Sequence, residues 1–178
     1  MPGWINLDSA RLPGIDIIAD LEQCAEIPLP IADNSIDEIL MSHVIEHIRA
    51  PLPLMQELHR IARPRAKTII RVPYGSSDDA WEDPTHVRAY FLQSFGYFSQ
   101  PYYWRADYGY RGDWQPMEIT LKLNKKRFAS MSQPAMLAVV NQERNVVSEM
   151  IGVLEAVKPP RQPRRELQTL PTIRIALV

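Results

Sequence analysis

The alternation of apolar and polar positions predicts strands at the start of the chain. "WINLD" (4–8) reads as a short buried strand, and "IDIIAD" (15–20) as another rich in β-branched residues. Only six residues separate Asp8 from Ile15. An ordinary parallel crossover takes about ten or more, so this pair is either antiparallel or joined by a compressed crossover. "LPIADNSIDEILMS" (29–42) turns at Asp33-Asn34-Ser35 and then runs as a strand from Ile36. From Pro51 the period becomes helical: Leu54, Met55, Leu58, Ile61 and Ala62 share one face. Arg63-Pro64 stops that helix, and "KTIIRV" (67–72) is the next clear strand, closed by Pro73 and Gly75. Strand, helix and strand make one βαβ unit, whose crossover should be right-handed. Further on, "MEITLKL" (117–123) alternates as a strand and "TIRIALV" (172–178) ends the chain as one. Over 142–157, Val146, Val147, Met150, Ile151, Leu154 and Val157 form a helical stripe, which predicts a core-packed helix. Residues 76–114 break both periods. They hold three of the four Trp and most of the Tyr, with much Asp, Gly and Pro. A short helix near Gln93 to Phe98 is predicted there, inside a long aromatic loop of the kind that often carries function.

Composition narrows this picture. A chain of 178 residues, 46 % apolar and without internal repeats, fits a single domain over 1–178. Its formal charge of −1 offers no global attraction to nucleic acid or to an anionic membrane, so neither is expected as a partner. Basic residues cluster at Lys122 to Arg127 and at Lys158 to Arg165. The second cluster lies in a Pro/Arg linker, 158–171, ahead of the last strand, and both are expected to be solvated. The lone Cys24 cannot form an internal disulfide, which points to a reducing cytoplasm. "MPGWINLD" lacks the pattern of a signal peptide, and no apolar run approaches the roughly 18 residues of a membrane span.

"SHVIEHI" (42–48) is the densest chemical stretch, with His43, Glu46 and His47 in the spacing H-x-x-E-H of some zinc peptidases. That chemistry needs both histidines on one face of a helix. Here "IDEILMS" leads in as a strand, which puts His43 at a strand end, so no metal ligands are assigned. Another reading uses three successive strand ends. Ligands of open α/β sheets bind beyond the carboxyl ends of the strands. Asp8, Asp20 and Ser42-His43 each occupy such an end. A carboxylate there suits the hydroxyls of a ribose, and a second suits an exocyclic amine.

These residues resemble the class I S-adenosylmethionine-dependent methyltransferases, above all a bacterial group with the signature LPF-x-DNSFD-x-h-x-SHVLEH, h being apolar. The matching segment is "IPLPIADNSIDEILMSHVIEHI" (27–48). "LMQELHRIARP", "KTIIRVP" and "DPTHVRAYFLQSFGYF" (83–98) are similar to the regions that follow it. The resemblance implies an α/β, doubly wound, mostly parallel Rossmann-like sheet and S-adenosylmethionine as cofactor. Asp8 would take the ribose hydroxyls, Asp20 the adenine amine with the Leu21 backbone on the ring, and Ser42 and His43 the methionine part. Glu46 and Tyr74 would face the acceptor, a small molecule or a glycan. His47 or His86, oriented by Asp83, would take its proton. The family's first strand, with its Gly-rich turn, and the helix after it have no counterpart here. A truncated chain, or a remnant serving as a non-catalytic binding or assembly module, would explain this. In either case weak cofactor binding is expected, and exposed sheet edges open to a homodimer.

Overall fold

The computed structural model describes residues 3–178. Two short strands, β1 (Leu7–Asp8) and β2 (Ile17–Ile18), pair in parallel, with Leu7 opposite Ile17. The crossover is therefore the compressed one. It turns through Gly14 at φ 87°, and the Asp16 carboxylate accepts from the Asn6 backbone N–H at 2.8 Å to hold the return. Both strands are shorter than their apolar runs, because each pairs on one side only.

The remaining strands are β3 (Ile36–Ser42), β4 (Ala62–Pro73), β5 (Trp114–Leu123), β6 (Val147–Ala156) and β7 (Thr172–Leu177), and they form one sheet in the order β3-β4-β6-β5-β7. The β3/β4 and β5/β7 pairs are parallel, while β6 is antiparallel to both its neighbours. Helix α1 (Pro51–Ile61) links β3 to β4 as the predicted βαβ unit, with Pro in its first turn. Its Leu54, Met55, Leu58 and Ile61 are at most 5 % exposed, each burial contributing about 1.5–3 kcal/mol. Two single-turn helices, α2 (Asp79–Glu82) and α3 (Lys125–Phe128), and the longer α4 (Gln133–Gln142) are the other α-helices among the described residues, and the short helix predicted near Gln93 to Phe98 is a 3-10 helix, Ser94–Phe98.

The helix expected over 142–157 is instead β6, the middle strand of the sheet. Met150, Gly152, Leu154 and Ala156 alternate onto the buried face, while Ile151 and Val153 lie on the other, so apolar residues on both faces of a strand produced the helical stripe. Two flanking strands decide the matter by taking up its backbone groups. Gly152 sits under the Phe95 ring, where a Cβ would come within 2.5 Å. The segment 158–171 is also less solvated than expected. Lys158 Nζ donates to the carbonyls of Arg60 at 3.1 Å and Ala62 at 2.6 Å, capping the end of α1. Arg161 is held by the buried Asp113.

One face of the five-stranded sheet is core, carrying Met41, Thr68, Ile70, Val72, Met150 and Leu154. The other face presents Leu40, Ile69, Ile151 and Val153 among charged residues, and Leu40 is 49 % exposed. Among the described residues the two sheets do not join. His43 N–H donates to Arg71 O and Ile17 N–H to Asn6 O. By strand alternation, Leu40 on β3 and Leu7 on β1 then turn their backbone groups away from these partners, toward each other's sheet. Between them lies a cavity of about 940 Å³ lined by both strands and by Leu54, Leu58 and Ile61 of α1.

Candidate active site

The carboxyl ends of β1, β2 and β3 place the first group of residues. Asp8 ends β1, and its Oδ1 accepts from Ala10 N–H at 2.8 Å. Asp20 caps the 3-10 turn Leu21–Gln23, accepting from Glu22 N–H at 3.0 Å and from the Gln23 side chain at 2.9 Å. Both carboxylates thus make local caps, on neighbouring parallel strands. Leu7, Leu21, Met41 and Val44, the chain neighbours of Asp8, Asp20, Ser42 and His43, all line the 940 Å³ cavity. The lining runs along β3 from Ile36 to Met41 and leaves out Asp8, Asp20, Ser42 and His43 themselves. As acceptors for a nucleoside they fit. Asp8 Oδ2 has no protein donor among the described hydrogen bonds, and the Gln23 amide on Asp20 is an exposed side chain that a ligand could displace.

A second group gathers just past β3. His43 adopts φ 54°, a conformation uncommon for a non-glycine residue and found often at sites. Its Nε2 lies 3.1 Å from Glu149 Oε1, and its Nδ1 3.3 Å from Glu46 Oε1. Burial alone would push Glu149 up, but Lys122, Arg71 and His43 bind it and together hold it below the usual carboxylate range. The turn Ile45–His47 is 3-10, not α-helical, so His43 and His47 do not share a helix face as a zinc peptidase requires. Glu46 points inward instead. It is 2 % exposed, and neither carboxylate oxygen has a hydrogen-bond partner among the described residues.

The loop 83–88 closes over this turn, since Val87 N–H and Arg88 N–H both donate to Glu46 O. It brings His86 against His47, with ring centroids 4.7 Å apart. The orienting role expected of Asp83 reaches His47, through a residue the sequence reading did not single out. Thr85 donates its hydroxyl to Asp83 at 2.6 Å and stands 2.9 Å from His47 Nδ1. That nitrogen also faces Thr85 O at 3.3 Å. A carbonyl only accepts, so His47 Nδ1 carries the proton and, in the neutral ring, Nε2 carries the lone pair. The Thr85 hydroxyl and backbone N–H hold Asp83 below the usual carboxylate range. His86 Nε2 is 3.9 Å from Asp83, beyond hydrogen-bond reach, and its Nδ1 is buried without a partner among the described residues. The spacing Asp-x-Thr was the available signal for Thr85, since a side chain that accepts from the backbone two residues on marks an Asx turn. Glu149 was hidden by the helical reading of its segment. Tyr74 is buried at 4 % exposure, stacks edge-on with Phe91, and directs its hydroxyl to the Leu92 backbone.

Residues 5–70 match the sequence model of a methyltransferase domain, a span that includes Asp8, Asp20 and the whole SHVIEH segment. No protein of curated function matches the chain. Among solved structures, a SAM-dependent methyltransferase from Archaeoglobus fulgidus superposes with a TM-score of 0.55 at 12 % identity, covering 79 % of this chain and 67 % of that one. The YcgJ protein of Bacillus subtilis gives 0.47 at 13 % identity, over 81 % and 71 %. A putative methyltransferase of Haloferax volcanii, solved with the Trm112 methyltransferase activator, gives 0.49 at 12 % identity, over 86 % and 66 %. At such identities the likeness to the Archaeoglobus protein is one of fold, while the sequence match covers the strand ends themselves. Residues 5–70 thus match a methyltransferase domain, and the chain shares the Rossmann-like fold of a SAM-dependent methyltransferase.

Proposed function

We propose that this chain transfers a methyl group from S-adenosylmethionine to a hydroxyl of a small molecule or a sugar. The observation that carries the reading is the match of residues 5–70, which include Asp8, Asp20 and His43, to a methyltransferase domain. Asp8 would accept from the ribose hydroxyls, Asp20 from the adenine amine beside Leu21, and Ser42 and His43 would flank the methionine part. The sulfonium of the bound cofactor supplies an electrophilic methyl, so alignment of the acceptor accounts for much of the rate. Glu46, His47 and His86 border the acceptor side. His47 is turned by Thr85 and Asp83 so that its Nε2 can receive the hydroxyl proton. The lone buried thiol of Cys24 is in keeping with a cytoplasmic setting, and no helix among the described residues is long and apolar enough to cross a membrane. Calorimetric titration with S-adenosylmethionine tests the cofactor half. Weak binding is expected, and Asp8→Ala should weaken it by about tenfold, or about 1.4 kcal/mol. Absence of binding at millimolar cofactor, or binding indifferent to Asp8→Ala and Asp20→Ala, would remove the reading.

The gap between β1 and β3 favours a second reading, a methyltransferase-like assembly module. Two facing strand edges with unpaired backbone groups invite strand pairing. The partner proposed is a second copy of this chain.

A further inference from the structure

A carboxylate that is 2 % exposed with no hydrogen-bond donor on either oxygen is costly, and such a group is ordinarily found paired or on a metal. Glu46 is that group. Around it stand two imidazoles whose free nitrogens are also unspent: His86 Nδ1, buried without a partner among the described residues, and His47 Nε2, left free because Nδ1 faces Thr85. One ligand atom from each of Glu46, His47 and His86 falls within 4.8 Å of the others. His43 is near, but its Nε2 is engaged by Glu149 and its Nδ1 is not aligned for a hydrogen bond to Glu46.

We propose that Glu46, His47 and His86 hold a first-row divalent cation of the zinc class. Two imidazoles and one carboxylate are borderline donors that suit zinc, cobalt or ferrous iron over magnesium or calcium. Bonds of about 2.0–2.2 Å place tetrahedral ligands roughly 3.4 Å apart, so the trio draws in by rotation of its side chains. Three protein ligands leave a position open for an oxygen ligand. The Asp83–Thr85–His47 relay, with hydrogen bonds of 2.6 and 2.9 Å, is the outer-shell support that fixes a ligating histidine's tautomer. The spacing H-x-x-E-H pointed to a metal through the wrong member. His86, delivered by the loop, takes the place a helical His43 would have held.

The site uses Glu46, His47 and His86, which the methyl-transfer reading sets at the acceptor, and a bound cation would take the His47 Nε2 lone pair in place of the hydroxyl proton; it rests on their geometry alone, and its test contains neither cofactor nor acceptor. Zinc alone is titrated into the full chain against a chromophoric chelator. The expected result is stoichiometric uptake, weakened about 100-fold or more by His47→Ala or His86→Ala and about 10-fold by Thr85→Val. Absence of stoichiometric uptake, or uptake that His47→Ala and His86→Ala leave intact, would overturn the proposal. Should the variants not fold, the wild type suffices, because the chain has four histidines. Zinc should shift the ring resonances of His47 and His86 in an NMR titration and leave those of His59, buried beside Trp114, in place. Unmoved His47 and His86 signals would equally overturn it.

Discussion

Asp113 shows how much of this molecule turns on single buried charges. It is fully buried and accepts from Gln100 N–H at 3.1 Å, from Arg161 N–H and Nε at 2.8 Å, and from Arg161 Nη2 at 2.8 Å. Asp113→Ala strands those donors and should cost about 3 kcal/mol or somewhat more in urea unfolding. Cys24 lies at the opposite chemical extreme. Burial, with the charges of Glu57 and Asp20, pushes its thiol up to about 11. Iodoacetamide should therefore label the native protein far more slowly than the unfolded chain, the thiolate being the reactive form. His59 sets a pH dependence. Burial lowers it below its ordinary 6.5, while the Val157 carbonyl accepts from its Nε2 at 3.0 Å. The unfolded chain then binds this proton first, so the stability His59 contributes is present above about pH 6.5 and lost as pH falls through its folded value. Urea midpoints measured between roughly pH 7 and pH 5 should fall less in His59→Gln than in the wild type. At this scale the strand-end aspartates were legible because a carboxylate after an apolar run is a local pattern. The trio of Glu46, His47 and His86 was gathered only by the family resemblance, at the acceptor and not as ligands, since no spacing in the sequence brings the loop 83–88 against the 3-10 turn.

The β3–α1–β4 unit was readable because its hydrophobic period switches cleanly from two to 3.6 and back, with Pro51 and Pro64 marking the joints. The β6 segment was not, because its apolar residues lie on both faces of the strand, Met150 and Leu154 on one and Ile151 on the other, and together mimic a helical stripe. Gly152 was the discordant residue, poor in a helix interior and common where another group approaches closely. It also supplies the element's test. Gly152→Ala places a methyl in the Phe95 ring at 2.5 Å and should cost about 1–3 kcal/mol in denaturant unfolding. A shift within about 0.5 kcal/mol would show that this face is not packed as described. The basic run at 158–165 was likewise misread from composition. Charge density suggested solvent, yet Lys158 and Arg161 each have geometric partners that only the tertiary fold assembles.

Across the whole molecule, the open sheet face and the gap beside β3 converge on Leu40. Its side chain is exposed and its backbone lies on the free edge. Leu40→Lys should leave stability within about 0.5 kcal/mol and lower self-association in sedimentation velocity, because charged side chains protect an edge strand. Equal sedimentation of variant and wild type as monomers would end the case for pairing at this edge. The place of β6 in the sheet has a further consequence, in the order of synthesis. β4 and β5 emerge from the ribosome well before residue 147, yet each waits for β6 to lie between them. A nascent chain therefore carries β4 and β5 with open edges, exposed to wrong pairing, until residues 147–156 arrive between them.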